Sequence, residues 1–346
     1  MKVLALTPNG KLTCCSVSLE NRGKGRCNHI AHQNEEESQE DFVKRVAKEI
    51  LMQVPINKKD EILGLGYSEK LDMIHNHEDL DILVDDKNRD VRIEVARQGY
   101  GLDKLIDDED PDVRAAVAEQ GYELDKLVED DDWAVREAVA RQGYGLEKLV
   151  NDKRWHVRKA VAEQGYGLDK LVNDENWYVR RAVARQGYGL DKLINDDDCD
   201  IRATVAEQGY GLEKLIKDKD CGVRREVAKQ GYGLDRLVND RSWIVRRVVA
   251  EQGYGLDKLI DDEDSDIRIS VAEHGYGLDK LINDKRTDVR IAVAKQGYGL
   301  DKLIKDKNPM VRIAVAKQGY GLEQLVNDED REVRRVAEEL SNKKEG

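Results

Sequence analysis

Gly-Tyr recurs at Gly99, Gly121, Gly143, Gly165, Gly187, Gly209, Gly231, Gly253, Gly275, Gly297 and Gly319, each copy 22 residues from the next with no insertion. A degraded copy, HEDLDILVDDKNRDVRIEVARQ, precedes them from His77, making twelve units. A period this strict constrains the fold more than any composition does. A unit of this size cannot bury an apolar face alone, so identical units must stack and share one lengthwise core.

With the Gly of Gly-Tyr as position 1, the unit reads as two short helices. Positions 4, 7 and 8 are apolar, as in Leu168, Leu171 and Val172, the spacing of one helical stripe. Position 12 is Asn, Asp or Ser in ten of the twelve units, for example Asn176 and Asp198. Those types cap helix N-termini by accepting the orphan amide protons of the first turn. Position 13 is Pro in two units, Pro111 and Pro309, and Pro is favoured at the first helical position. The second helix runs from position 13 to 22 on an apolar stripe at positions 15, 19 and 20, such as Val179, Val183 and Ala184. The next Gly stops it as a C′ residue. The expected fold is all-α: an α-solenoid of about twelve 22-residue two-helix repeats over residues 77–340, with a small α+β module at the N-terminus.

Two polar positions never vary in those units. Position 10 is Asp from Asp86 to Asp328, and position 16 is Arg from Arg92 to Arg334. Paired rows of opposite charge neutralise the field that a phosphate ladder would need, so they read as a structural Asp–Arg ladder tying turns to helices within or between layers. Position 21 alternates Arg97, Glu119, Arg141, Glu163, Arg185, Glu207, Lys229 and Glu251, which would favour register between layers.

The segment DPDVRAAVAEQGYELDKLVED, Asp110–Asp130, resembles the leucine-rich repeat variant family, whose units combine Asp-Pro, Val-Arg, Val-Ala and a later Leu-x-x-Leu…Asp. It is also similar to HEAT repeats, where an Asp and an Arg form such a ladder. The resemblance covers residues 77–340. Here Gly-Tyr-Gly replaces the family's Asn-Pro…Pro turn, and the unit is slightly shorter. The resemblance implies a right-handed superhelix of alternating short helices and no single activity. The variant family can also carry an N-terminal iron–sulfur cluster on four cysteines; residues 1–55 hold three, Cys14, Cys15 and Cys27.

Candidate recognition residues lie where the units differ. All four tryptophans occupy position 13, as Trp133, Trp155, Trp177 and Trp243, and position 14 beside the last three holds His156, Tyr178 and Ile244. Trp and Tyr dominate interface hot spots, so this row is the expected partner-binding face; the competing reading is packing across the neighbouring layer. Position 17 is Ile269, Ile291 and Ile313 in three consecutive units, a docking or dimer patch or deeper packing at that end. Cys199 and Cys221 share position 13 in adjacent layers, too far apart for a disulfide.

Residues 1–55 read as a separate module: a β-hairpin over residues 2–6 and 11–17 around Pro8-Asn9-Gly10, a basic Gly-rich loop, then a helix from Ser38 stopped near Pro55. Residues 56–76 read as a degenerate helical linker or cap, and 341–346 as a polar tail. Cys27, His29 and His32, with Cys14 or Cys15, offer thiolate and imidazole ligands at workable spacing for zinc. Arg22, Lys24 and Arg26 could hold an anion in the loop.

Charge narrows the functional classes. The chain carries −13, but residues 1–34 hold five cations against one anion, which leaves −17 on the remainder. A body this acidic argues against binding phosphate backbones and fits a protein partner with a basic surface. Five scattered cysteines point to a reducing, cytoplasmic setting, and no stretch is apolar enough to span a membrane. The expected function is a protein-binding scaffold, or an acidic inhibitor seated in a basic groove. The alternatives are a metal-dependent enzyme or sensor acting through residues 1–55, and a nucleic-acid-binding HEAT-like protein.

Overall fold

A computed structural model of the chain describes residues 3–6, 12–15, 30–32 and 58–345. The chain divides into two compact units, Met1–Val113 and Arg114–Gly346.

In the first unit, β1 (Val3–Leu6), β2 (Leu12–Cys15) and β3 (Ile30–His32) form an antiparallel sheet in the order β2-β1-β3. The hairpin β1–β2 was expected; β3 was not, because its three residues sit at the end of a segment that reads as loop. Among the described residues of this unit, the helices α1 (Lys58–Leu63) and α2 (Tyr67–His75) precede those of the repeats, which begin at Leu80–Leu83. Counting back 22 residues from His77 places α1 on positions 4–9 and α2 on positions 13–21. The described residues 58–76 therefore keep the places of a further, diverged repeat. Lys70 of α2 stands at position 16, where the other units have Arg. Its ammonium donates to the Leu63 carbonyl at 2.9 Å and ion-pairs with Asp86 at 2.7 Å, both groups nearly inaccessible to water. One lysine thus closes the end of the ladder.

The second unit is an α-solenoid. Each repeat has a one-turn helix at positions 4–7, such as Leu168–Leu171, and a nine-residue helix at positions 13–21, such as Trp177–Arg185. The last long helix, Arg331–Glu345, continues through the polar tail. The stripe at positions 15, 19 and 20 is buried in every unit before the last, as at Val179, Val183 and Ala184, and Leu171 of the short helix closes on it. Asn and Asp side chains at position 12 cap as their type requires: Asn176 accepts from the Tyr178 amide and Asp198 from the Asp200 amide. Arg154, Ser242 and Arg286 make no such bond.

The turn between units explains both glycines. Gly165 ends the long helix at φ 74°, with its amide on the Ala162 carbonyl at 2.9 Å and the Tyr166 amide on Val161 at 3.3 Å, a Schellman closure. Gly167 then starts the short helix at φ 61°, where a Cβ would lie 2.5 Å from Val150 Cγ2. In the unit beginning at Gly121, Glu123 takes this position at φ 40°. A left-handed L-residue costs roughly 1–2 kcal/mol. Glu123→Gly is therefore expected to raise stability by about 1 kcal/mol, read as a higher urea midpoint with an unchanged slope; a lower midpoint would remove strain as the explanation.

The Asp–Arg ladder joins consecutive layers. Arg180 donates through Nε to Asp196 Oδ2 at 2.7 Å and through Nη2 to Oδ1 at 2.9 Å, while Nη1 holds the Asp174 and Glu175 carbonyls of its own layer at 2.8 and 3.1 Å. Asp196 Oδ1 also accepts from the Asp198 amide. Burial alone would raise the Asp196 carboxyl; the Arg180 fork and the amide outweigh it, so the group sits below the usual carboxylate range. An outer ladder links position 6 to position 9 of the preceding layer, as in Lys148–Glu129 at 2.6 Å. At position 21, Arg141 pairs with Glu137 and Glu163 with Lys159, each along its own helix, where a partner four residues away lies one turn off.

Candidate recognition surface

Positions 13 and 14 begin each long helix, just after the cap has fixed its first turn. From this place a position-13 side chain reaches over position 14 of the next layer. In the first unit Arg89 does so with charge, pairing with Asp112 at 2.9 Å. In the second unit the same geometry builds a row of stacked rings. Trp133 stacks on His156 with centroids 4.3 Å apart, and His156 stacks on Trp155 at 3.7 Å. Trp155 lies on Tyr178 at 4.7 Å and nearly parallel, and Tyr178 lies on Trp177 at 3.7 Å. Five rings from three layers thus form one stack.

The rings pack on one another above the solenoid core. Trp133, Trp155, His156 and Trp177 are half-buried, and Tyr178 is 40% exposed. His156 sits between two indoles with Nδ1 buried and without a hydrogen-bond partner. The two sequence readings of the row are therefore not exclusive: the rings bridge layers and also present edges and faces to solvent. Trp243 stands apart, 41% exposed, with the Arg247 guanidinium 5.5 Å from its ring centre and Ile244 half-buried beside it. Of the isoleucine stripe, Ile313 is buried, and Ile269 and Ile291 are half-buried.

A second aromatic row escaped the sequence reading. Ten of the Gly-Tyr tyrosines, from Tyr100 to Tyr320, are 40–43% exposed. A residue after a C′ glycine commonly packs back on its helix, so Tyr there reads as a packing residue. The available signal was its invariance, since a position that only packs would also accept Leu or Val.

From Arg136 to Arg312 the Arg row at position 16 has its donors committed. In Arg202, Nε, Nη1 and Nη2 are all engaged by Asp218 and by the Asp196 and Asp197 carbonyls. Cys199 and Cys221 are free thiols, half-buried; burial and nearby carboxylates push the Cys199 thiol up, away from reactivity.

At the N-terminus, the strand register pairs Val3 with both Cys15 and His32, and Leu4 with Cys14. Cys27, His29, Arg22, Lys24 and Arg26 lie outside the described residues, as does the helix expected from Ser38. Among the described residues, no group of three or more His, Cys, Asp or Glu side chains could hold a metal ion, and no helix is long and apolar enough to cross a membrane.

No protein-family model matches the chain, and a comparison with curated proteins finds no match. The helical-repeat architecture rests on the repeat and its packing alone.

Proposed function

We propose that the chain is a protein-binding scaffold whose second unit meets its partner along the long-helix starts. The observation that carries this reading is the half-exposed stack from Trp133 to Trp177. Other units fill position 13 with Pro, Cys, Ser, Thr or Arg over an equally buried stripe, so the core does not require indoles there. Large rigid rings held in fixed orientation lose little freedom on binding, which is why Trp and Tyr serve as anchors. The free thiols fit a reducing compartment, and the Asp–Arg ladder supports the likeness to HEAT repeats and the leucine-rich repeat variant. The net charge of the body suits a partner that is basic beyond the strip, as an inhibitor in a basic groove would need.

The test uses the end of the stack, because Trp155 touches two rings and Trp177 touches one. Trp177→Ser should cost about 1 kcal/mol of stability and remove captured partners that a control substitution on the short-helix edge, Lys192→Ser, retains. Partners captured equally by wild type, Trp177→Ser and the control would place the binding face elsewhere.

A further inference from the structure

The stack ends at the long helix Trp177–Arg185, WYVRRAVAR, which contains no acidic residue. Successive residues turn by about 100°, so Trp177, Arg181, Arg185 and Tyr178 fall within one arc of about that width. Arg180 points away into the ladder. Arg181 donates from Nε to the Thr204 hydroxyl at 3.3 Å and, among the described residues, forms no ion pair; the exposed Arg185 forms none either.

The neighbouring layers show what is missing. Helix Cys221–Lys229 also carries cations at positions 17 and 21, Arg225 and Lys229, but position 18 supplies buried Glu226, paired with them at 2.6 and 3.1 Å. In Trp177–Arg185, position 18 is Ala182, buried and apolar. On the preceding layer, Glu163 is held by Lys159 at 2.8 Å. On the following layer, Ala203 stands at position 17, so no long side chain at that position crowds Arg181; Asp200 and Glu207 are its acidic groups. Two guanidiniums beside a stacked indole and phenol thus lack the counter-charge that Lys159, Arg225 and Arg247 possess at position 17 and Lys229 at position 21.

We infer that Trp177, Tyr178, Arg181 and Arg185 form a subsite for an acidic protein segment, whose carboxylates take the free N–H groups while an aromatic or leucine side chain covers the exposed rings. The inference rests on the protein-binding reading and sharpens it: the body is acidic, yet at this strip the partner is acidic too. Guanidinium suits planar, bidentate carboxylate recognition, and rings next to it provide the apolar half of the contact. Nucleic acid is disfavoured, because its backbone carries a phosphate at every nucleotide and would run past the strip along a body carrying −17 over residues 35–346, whereas a protein segment can confine its carboxylates to the two guanidiniums.

A displayed library of random peptides, selected on the full-length chain, tests this. Enriched peptides should combine Asp or Glu with Phe, Trp or Leu. Arg181→Ala and Arg185→Ala should each weaken them about tenfold, and Trp177→Ser should weaken them comparably, with intrinsic tryptophan fluorescence as the readout. Enriched basic peptides that still depend on Trp177 would overturn the inference and leave the scaffold reading standing. Peptides indifferent to Trp177, or no enrichment, would sink both. A single-stranded oligonucleotide that displaces the selected peptides at lower concentration would assign the strip to nucleic acid instead.

Discussion

Arg202→Ala is expected to destabilise the array by about 3 kcal/mol and to break its cooperativity. Arg202 and Asp218 are 8% and 9% exposed and joined by two bonds, at 2.7 and 3.0 Å. Removing the guanidinium leaves the carboxylate with the Asp220 amide alone, and it also strips a donor from the Asp196 and Asp197 carbonyls. The loss exceeds that of a surface pair because the stranded groups remain out of water. A solenoid layer is held only by its neighbours, so the unfolding curve should split or lose slope as the layers on either side uncouple. Arg202→Lys should lose only about 1 kcal/mol, because Lys70 shows that one ammonium can serve both a carbonyl and the next layer's Asp. Urea titration followed by circular dichroism decides it. An alanine loss below about 1 kcal/mol, or a lysine variant no better than alanine, would mean that packing alone joins the layers.

The scaffold was legible in the sequence because every unit repeats the same local instructions: a capping residue at position 12, a stripe at 15, 19 and 20, and a glycine at position 1. Twelve copies average out the ambiguity of one. What the sequence hid lay where the pattern broke or where geometry between layers mattered. Residues 56–76 read in the sequence as a degenerate helical linker or cap and not as a repeat, because Gly66 and Lys70 replace the usual cap and Arg, although both keep their places. The ring stack was legible only in part. Trp at position 13 was visible, but its lying over position 14 of the next layer depends on a layer offset that no periodicity states. The missing counter-charge at Arg181 was hidden for the same reason, since it shows only when position 18 of Trp177–Arg185 is compared with Glu226 two layers on.

Acid should unfold the array steeply. The ladder carboxyls of Asp130, Asp152, Asp196, Asp218, Asp240, Asp262, Asp284, Asp306 and Asp328 all lie below their ordinary value in the folded chain. In each, burial pushes the carboxyl up, but the Arg fork and the backbone amide bring it down further. A depressed folded pKa means that the unfolded chain binds protons first, so the stabilisation is complete above the unfolded value near 4 and is lost as pH falls through the folded values. The arginines stay charged throughout and contribute no slope. The melting temperature should therefore be level from about pH 8 to about pH 5 and fall sharply below about pH 4, with uptake of several protons per molecule. Because the pairs are nearly inaccessible, added salt should shift this transition little, unlike the exposed Lys148–Glu129 pair, whose depressed carboxyl is open to screening. Asp262→Asn should lower stability at neutral pH and reduce the proton uptake by about one, since the amide does not titrate and only its oxygen can accept from the Arg246 fork, leaving the other donor facing an NH2. A melting temperature unchanged between pH 7 and pH 3, or an uptake of a single proton, would show that the ladder is held by geometry without depending on its charge.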